Sequence, residues 1–157
     1  MKQVKLDKID LKILKNLQSN GRITNVDLAK EAGISAPPCL RRVRALEGMG
    51  YIRGYHAKVD HSVLGYGVTV FASVKLVSQA ETDLKLFEDL LKTWPMVREA
   101  NMLAGETDFL LKIVAHDWDD YQKFLTSELT AAPNVTSVKS SLAIRSSKEE
   151  PGVPIEV

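Results

Sequence analysis

The chain has 157 residues and a net charge of +1, and its 45% apolar and 26% charged content is that of an ordinary soluble protein with one large or two small domains. No apolar run approaches the roughly 18–20 residues that a membrane-spanning helix requires, and the first residues lack the form of a secretory signal. A single cysteine excludes an internal disulfide and suits a reducing compartment. Together these features lead us to expect a cytoplasmic protein that does not contact a membrane.

The charge is unevenly distributed along the chain. Residues 1–60 contain 12 Lys and Arg against 6 Asp and Glu, a balance of +6, whereas residues 61–157 contain 9 against 14, a balance of −5. A basic first third joined to an acidic remainder indicates a module that binds a polyanion, attached to a part with a different task.

Three helix starts in the first third share one pattern, in which two apolar residues five positions apart flank a capping residue. The capping residues are Asp7, Thr24 and Ser35. They predict helices over residues 7–19 and 24–32, and a third helix that begins at Ser35. Gly33 supplies the left-handed conformation that ends the second helix, two residues before the third begins. Two helices joined by so tight a turn form a helix-turn-helix.

The third helix begins with two prolines, which helices normally reject. With Ser35 as the cap, Pro37 and Pro38 occupy the second and third helical positions. An amide at these positions has no acceptor within the helix, and the fixed φ of proline already suits a helix. The prolines are therefore expected to stiffen the start of the helix rather than to break it.

Three arginines follow the prolines. At 100° per residue, Arg41 and Arg44 lie opposite the apolar face of the helix, and Arg42 lies on its flank. A second helix that presents its N-terminal half and two arginines outward is typical of recognition in the DNA major groove, and the alternative is a solvated basic face. The candidate contacts to double-stranded DNA are Ser35, Pro37, Pro38, Arg41, Arg42 and Arg44.

The segment after the third helix resembles a small wing. Gly48 and Gly50 end the helix, and the apolar residues within 51–59 predict short extended pieces. Arg53 and Lys58 are placed there to meet DNA phosphates.

The remaining two thirds of the chain alternate strand and helix patterns beyond a boundary near residues 64–67. We predict a strand over 68–76, a helix that starts in a capping box at Ser78 and ends before Pro95, strands over 97–104 and 108–115, a helix capped by Asp117, and a strand over 135–145. The order β-α-β-β-α-β is that of a ferredoxin-like sandwich, an α+β fold.

Both helices of such a sandwich cover one face of its sheet. Phe71, Leu110 and Val114 lie on the other face and are too apolar for free solvent, so we expect a homodimer formed through the sheets. Dimerisation also suits DNA recognition, because paired helix-turn-helix units bind palindromic half-sites.

No residue pattern indicates an enzyme, a metal site or a cofactor. His56, His61 and His116 lack the spacing of zinc ligands, and the chain contains no Gly-rich phosphate loop or nucleophile elbow. The turn over residues 104–109 has two interpretations. Gly105 allows backbone to approach a ligand and Asp108 can accept from a ligand ammonium, but a plain hairpin turn uses the same residue types.

Three stretches together resemble the leucine-responsive and asparagine-operon regulator (Lrp/AsnC) family over essentially the whole chain. They are LDKIDLKILKNLQSNGRITNVDLAKEAGIS, PPCLRRVRALEGMGYIRGYHAKVD and LAGETDFLLKI. The resemblance implies a winged helix-turn-helix over residues 1–53, a linker strand over 54–66, and a ligand-sensing and oligomerisation domain over 67–145. The tail over 146–157 is polar and then apolar, so we expect it to be either disordered or packed on a neighbour.

The resemblance also implies a transcription regulator whose effector is a small molecule, usually an amino acid, and whose dimers often assemble into octamers. Ala104, Gly105 and Asp108 match the family's ligand-contacting turn, and Ser140 matches a ligand-facing threonine. Val138 departs from the family, in which many members have a hydroxyl residue. Two alternatives are an architectural protein that wraps DNA without a ligand, and an amino-acid-binding enzyme or enzyme regulator.

Overall fold

The computed structural model describes residues 5–157, which form two compact units. One unit ends at Lys58 and also contains Lys148–Val157, and the other spans Val59–Ser147. The C-terminal tail therefore packs with the N-terminal residues, although they lie at opposite ends of the sequence.

The first unit contains the three predicted helices: α1 (Lys8–Ser19), α2 (Asn25–Ala32) and α3 (Ala36–Gly48). Asp7 caps α1 in a reciprocal capping box with Asp10, and Thr24 caps α2 by accepting from the amide of Asp27. Gly33 has the left-handed φ of 76° that closes α2. The helix-turn-helix is confirmed. The core of the unit contains Ile13, Leu28, Ala29, Ala32, Cys39 and Leu46.

The predicted side-chain cap at Ser35 is wrong. Ser35 occupies the cap position of α3, but its hydroxyl makes no capping hydrogen bond. A cap accepts from the amide at the second or third helical position. Those positions are Pro37 and Pro38, which have no amide hydrogen to donate. The same prolines that suit the first turn therefore remove the partners of the cap.

The wing segment contains no β-strand within residues 51–67. The amides of Tyr51 and Ile52 both donate to the carbonyl of Leu46, at 3.0 and 3.4 Å. These bonds close the end of α3 and use donors that a strand would need. Further along, the hydroxyl of Tyr55 donates to Glu47 at 2.9 Å, which holds the segment against α3.

The C-terminal tail is bound to α1 by one glutamine. The side-chain amide of Gln18 donates to the carbonyl of Val153 at 2.7 Å, and its oxygen accepts from the amide of Val153 at 3.1 Å. Gly152 has a left-handed φ of 67°, and a Cβ there would overlap the side chain of Gln18. An ion pair of 2.9 Å between Lys58 and Glu149 adds a further contact. The tail is therefore an ordered part of the first unit.

The second unit has the predicted β-α-β-β-α-β order. Its elements are β1 (Val68–Leu76), α4 (Glu81–Thr93), β2 (Val97–Met102), β3 (Phe109–Ala115), α5 (Trp118–Phe124), a π-helical turn (Leu125–Leu129) that continues α5, and β4 (Val135–Leu142). The strands form one antiparallel sheet in the order β2-β3-β1-β4. The ferredoxin-like α+β fold is confirmed, with β2 and β4 shorter than predicted.

The predicted capping box of α4 is wrong. The helix begins after Ala80, which makes no side-chain cap, and the hydroxyl of Ser78 instead accepts from the amide of Ala80. Asn134 holds Ser78 from the other side, because its side chain bonds both the amide and the carbonyl of Ser78 at 3.1 Å. Tertiary contact with the segment before β4 thus replaces the local cap.

The sheet buries one face against the helices. Val70, Ala72 and Val74 of β1 are fully buried and pack with Phe87 and Tyr121 from the helices. On the opposite face Phe71 remains 39% exposed, whereas Val114 is nearly buried within this one chain. That face is more polar than predicted, since the strand register places three lysines on it. These are Lys75, Lys112 and Lys139.

Candidate DNA-binding surface and effector site

The outward face of α3 is fixed by what its inward face buries. Cys39 and Leu46 are fully buried in the core of the first unit, and burial raises the pKa of the Cys39 thiol. Arg41 and Arg44 lie on the opposite side and are exposed. Neither guanidinium makes an ion pair within residues 5–157, so both are available to an external anion. Cys39 is an unreactive core residue, because its thiol is buried and its pKa is raised.

Arg42 has a different environment from Arg41 and Arg44. Its Nη1 lies 2.8 Å from Asp7 Oδ2 and 2.7 Å from Asp10 Oδ1. Asp10 and then Asp7 raise the pKa of the Arg42 guanidinium. The pKa of Asp7 is lowered, first by the backbone amide of Asp10 and then by Arg42. Arg42 thus connects α3 to the start of α1, and a direct contact between Arg42 and DNA stays a prediction.

The other candidate residues of α3 surround its first turn. Ser35 and Pro37 are exposed and Pro38 is half-buried. The pattern of caps and arginines missed Asn25, whose side-chain amide donates to the carbonyl of Ala36 at 2.9 Å. This bond joins the first turn of α2 to the first turn of α3, and so sets how far the start of α3 projects.

The turn between β2 and β3 contains three of the four predicted effector residues. Ala104 and Gly105 are exposed, whereas Asp108 is only 3% exposed. The amide of Asp108 donates to Val74 at 3.0 Å and its carbonyl accepts from Leu103 at 2.8 Å. The backbone of Asp108 is therefore held at the junction of the turn and the sheet.

The Asp108 carboxylate accepts two hydrogen bonds from neutral donors. Its Oδ2 accepts from the amide of Leu76 at 2.6 Å, and its Oδ1 accepts from the side-chain amide of Gln79 at 2.6 Å. Among the side chains that the structure describes, no cation lies within ion-pair distance of this carboxylate, and Asp108 is the only buried charged residue. The carboxylate is hydrogen-bonded, but its charge is not balanced.

Ser140, the fourth predicted residue, is separate from this turn. It lies opposite Ala72 in the sheet, and its hydroxyl is hydrogen-bonded to that of Tyr121. The Asp108 carboxylate bonds at Leu76, four residues further along β1. Four strand residues span roughly 13 Å. Ser140 and the Asp108 carboxylate therefore lie at separate positions along β1.

Val138, where the chain departs from the family pattern, packs against the core. Val138 lies opposite Val74 and is half-buried against the core of the second unit. Apolar packing therefore takes the place of a hydroxyl. A separate polar recess of about 450 Å³ lies beside the turn, and sequence analysis did not find it. Its lining residues are Ser73, Lys75, Glu106, Thr107, Ser137 and Lys139.

Two family models match the chain. Residues 6–53 match a winged helix-turn-helix DNA-binding model, and residues 69–153 match the Lrp/AsnC ligand binding domain. In residues 5–157, no helix is long and apolar enough to cross a membrane, and no group of three or more His, Cys, Asp or Glu side chains is placed to hold a metal ion.

Two transcription regulators are similar over nearly the whole chain. A leucine-responsive regulatory protein of Rhizobium meliloti is 52% identical over 147 residues, 94% of each chain. A Bkd operon transcriptional regulator of Pseudomonas aeruginosa is 43% identical, over 90% of this chain and 92% of the relative.

Solved structures of transcription regulators are also similar over nearly the whole chain. A transcriptional regulator from Neisseria meningitidis in complex with L-Met superposes with a TM-score of 0.91 at 34% identity, covering 96% of this chain and 97% of the other. An AsnC family transcriptional regulator from Agrobacterium tumefaciens gives 0.89 at 33% identity, covering 95% and 97%. The helix-turn-helix, the β-α-β-β-α-β domain and these similarities establish that the chain belongs to the Lrp/AsnC family of transcription regulators.

Proposed function

We propose that the chain binds operator DNA through the exposed face of α3 and responds to a free amino acid that binds at the turn containing Asp108. DNA binding is supported by the placement of Arg41 and Arg44. Both project from a helix whose other side is buried, and both lack an ion-pair partner among the described residues. Two exposed guanidinium groups without ion-pair partners suit phosphate oxygens and the guanine edge.

The contacts divide into two kinds. Arg41 and Arg44 would reach the groove or its phosphates, and Ser35 and Pro37 would lie where the helix start meets the backbone. Arg42 and Asn25 would act through α3 by setting its position against α1 and α2. Loss of a positioning residue should weaken binding to every DNA sequence, whereas loss of a base contact should change the preferred sequence.

Amino-acid binding is supported by the Asp108 carboxylate, which is buried without a described cation at ion-pair distance. Buried charges in proteins are normally paired, and the ammonium of an amino acid supplies the missing charge. The Neisseria meningitidis relative was solved with L-Met, so an amino acid with an apolar side chain is a suitable first probe. Ala104 and Gly105 offer exposed backbone beside the carboxylate.

The assembly that we propose is a cytoplasmic homodimer through the open face of the sheet, with higher assembly to an octamer. Phe71 on that face is exposed in one chain, and a second sheet would cover it. Ser140 lies with Ala72 on the helix side of the sheet, so we propose that it joins an effector site through a copy in the higher assembly and not across the open face. No enzymatic activity is proposed.

The experiment is a selection of DNA by the full-length protein from a random pool, followed by binding titrations with and without L-methionine and L-leucine. We expect a two-fold symmetric motif whose affinity changes when one of the amino acids is added. Recovery of no motif, with equal affinity for all sequences and no response to either amino acid, would instead support the architectural alternative.

A further inference from the structure

The two donors that hold the Asp108 carboxylate are not equivalent. The amide of Leu76 belongs to the backbone of a buried strand residue and cannot leave without disrupting β1. The amide of Gln79 is at the end of a flexible side chain on an exposed residue in the segment between β1 and α4. Only the contact between Gln79 and Oδ1 can therefore exchange with a molecule from solvent.

We propose that Gln79 occupies the ammonium position of the effector site in the free protein, and that the ammonium of the amino acid displaces it. Gln79 then acts as a plug, by which we mean a side chain that fills the ammonium position until a ligand displaces it. It is also a specificity residue, because a ligand must offer a better donor than a neutral amide. This inference rests on the proposed effector function and adds a mechanism to it.

The exchange involves a side chain and not the whole segment. Asn134 holds the segment in place, since its carbonyl accepts from Val77 at 2.8 Å and its side chain bonds both backbone groups of Ser78. None of these bonds involves Asp108. Rotation of the Gln79 side chain therefore uncovers Oδ1 while the backbone on either side stays anchored.

The energetics favour a primary ammonium. Both donors bond to an ionised acceptor, but only an ammonium also supplies a positive charge that balances the buried Asp108 carboxylate. The displaced amide of Gln79 moves into water and finds new partners, since the residue is exposed. An N-acylated amino acid has no ammonium and would gain nothing over Gln79.

The first test replaces the plug in the full-length protein. Gln79→Met keeps the length of the side chain and removes its donor, so the free protein should melt at a lower temperature and bind L-methionine or L-leucine about threefold to tenfold more tightly. Ser78→Ala is the matched control, because it alters the same segment without touching Asp108 and should leave affinity unchanged. A lower melting temperature with unaltered affinity would reduce Gln79 to a structural role and overturn the proposal.

The second test places an ammonium inside the protein. Gln79→Lys has a side chain one bond longer and brings its own cation to Asp108, so it should melt higher than wild type and lose at least tenfold in affinity for the same amino acid. N-acetyl-L-methionine should stabilise neither protein. Stabilisation of wild type by N-acetyl-L-methionine as strongly as by L-methionine would contradict the displacement.

The failures of the two proposals are distinguishable. If none of the twenty common amino acids changes the melting temperature of the wild-type protein, the effector function fails and the plug fails with it. If an amino acid stabilises wild type and Gln79→Met binds it with equal affinity, the effector function stands and only the plug is rejected.

Discussion

Arg42 and Asp10 join the recognition helix to the first helix, with Arg42 Nη1 2.7 Å from Asp10 Oδ1 and a second carboxylate, Asp7, at 2.8 Å. The pair lies between α3 and the capped end of α1, so one guanidinium completes the cap of one helix and orients the other. Arg41 and Arg44 project from the same helix without such partners. The division between a positioning arginine and two exposed ones is the main structural feature of the proposed DNA surface.

The first prediction concerns the Arg42 bridge. Arg42→Ala should lower the melting temperature of the protein by roughly 2–5 °C, because the ion pairs are partly exposed and each contributes little. High salt should lower wild-type stability toward that of the variant. Differential scanning calorimetry at two salt concentrations measures both effects. Equal melting temperatures at low salt would contradict the bridge.

The second prediction separates two caps of the helix-turn-helix. Thr24→Ala should destabilise the protein by about 1 kcal/mol, since Thr24 accepts from the amide of Asp27. Ser35→Ala should leave the free energy of unfolding nearly unchanged, because Pro37 and Pro38 have no amide hydrogen to donate to the Ser35 hydroxyl. Urea unfolding of both variants gives the comparison. An equal loss of unfolding free energy in the two variants would mean that the Ser35 hydroxyl has a hydrogen-bond partner in solution.

The third prediction concerns pH. The backbone amide of Asp10 and then Arg42 keep the pKa of Asp7 lowered in the folded protein, so Asp7 binds a proton less readily in the folded state than in the unfolded chain. The stability from Asp7 is therefore present above the ordinary carboxyl pKa and is lost as pH falls through the lower, folded value. Asp7→Asn should be less stable than wild type at pH 7, and the difference should shrink below about pH 4. A difference that does not change with pH would show that the charge is not involved.

The fourth prediction concerns the C-terminal tail. Gly152→Ala should release the tail from α1, because alanine disfavours the φ of 67° and its Cβ would overlap Gln18. Gly48→Ala is the matched control, since a Cβ there meets nothing within 4 Å and alanine suits a helix. Hydrogen exchange at the amide of Val153 should accelerate in the first variant alone. Similar exchange in both would place the tail elsewhere in solution.

The sequence predicted the order of elements because caps and periodicity are local signals. Asp7, Thr24 and Gly33 mark helix ends by chemistry within a few residues, and β1 shows its buried face by simple alternation. The failure at Ser35 has a local cause, whereas the failure at Ser78 has a tertiary one. At Ser35 the amides of two prolines are missing, and at Ser78 a distant asparagine supplies the partner that a capping box would have supplied.

The candidate sites were harder to predict because their contacts are distant in sequence. A helical wheel places Arg42 on a flank, but it does not reveal the carboxylate 32 residues earlier that binds it. In the same way the motif around Gly105 identified Asp108, but not the Gln79 that holds it. Strand register separates Ser140 from Asp108, and register depends on pairing across the whole sheet.

The most direct test of the account is the salt dependence of operator binding by Arg41→Ala, with Lys85→Ala on α4 as the control for an exposed cation outside the DNA surface. Fluorescence anisotropy with the selected operator should show a loss of about 1–3 kcal/mol for Arg41→Ala and a salt slope reduced by about one, because one contact to DNA is lost. Lys85→Ala should match wild type. Wild-type affinity and an unchanged salt slope for Arg41→Ala would contradict the claim that the outward face of α3 binds DNA.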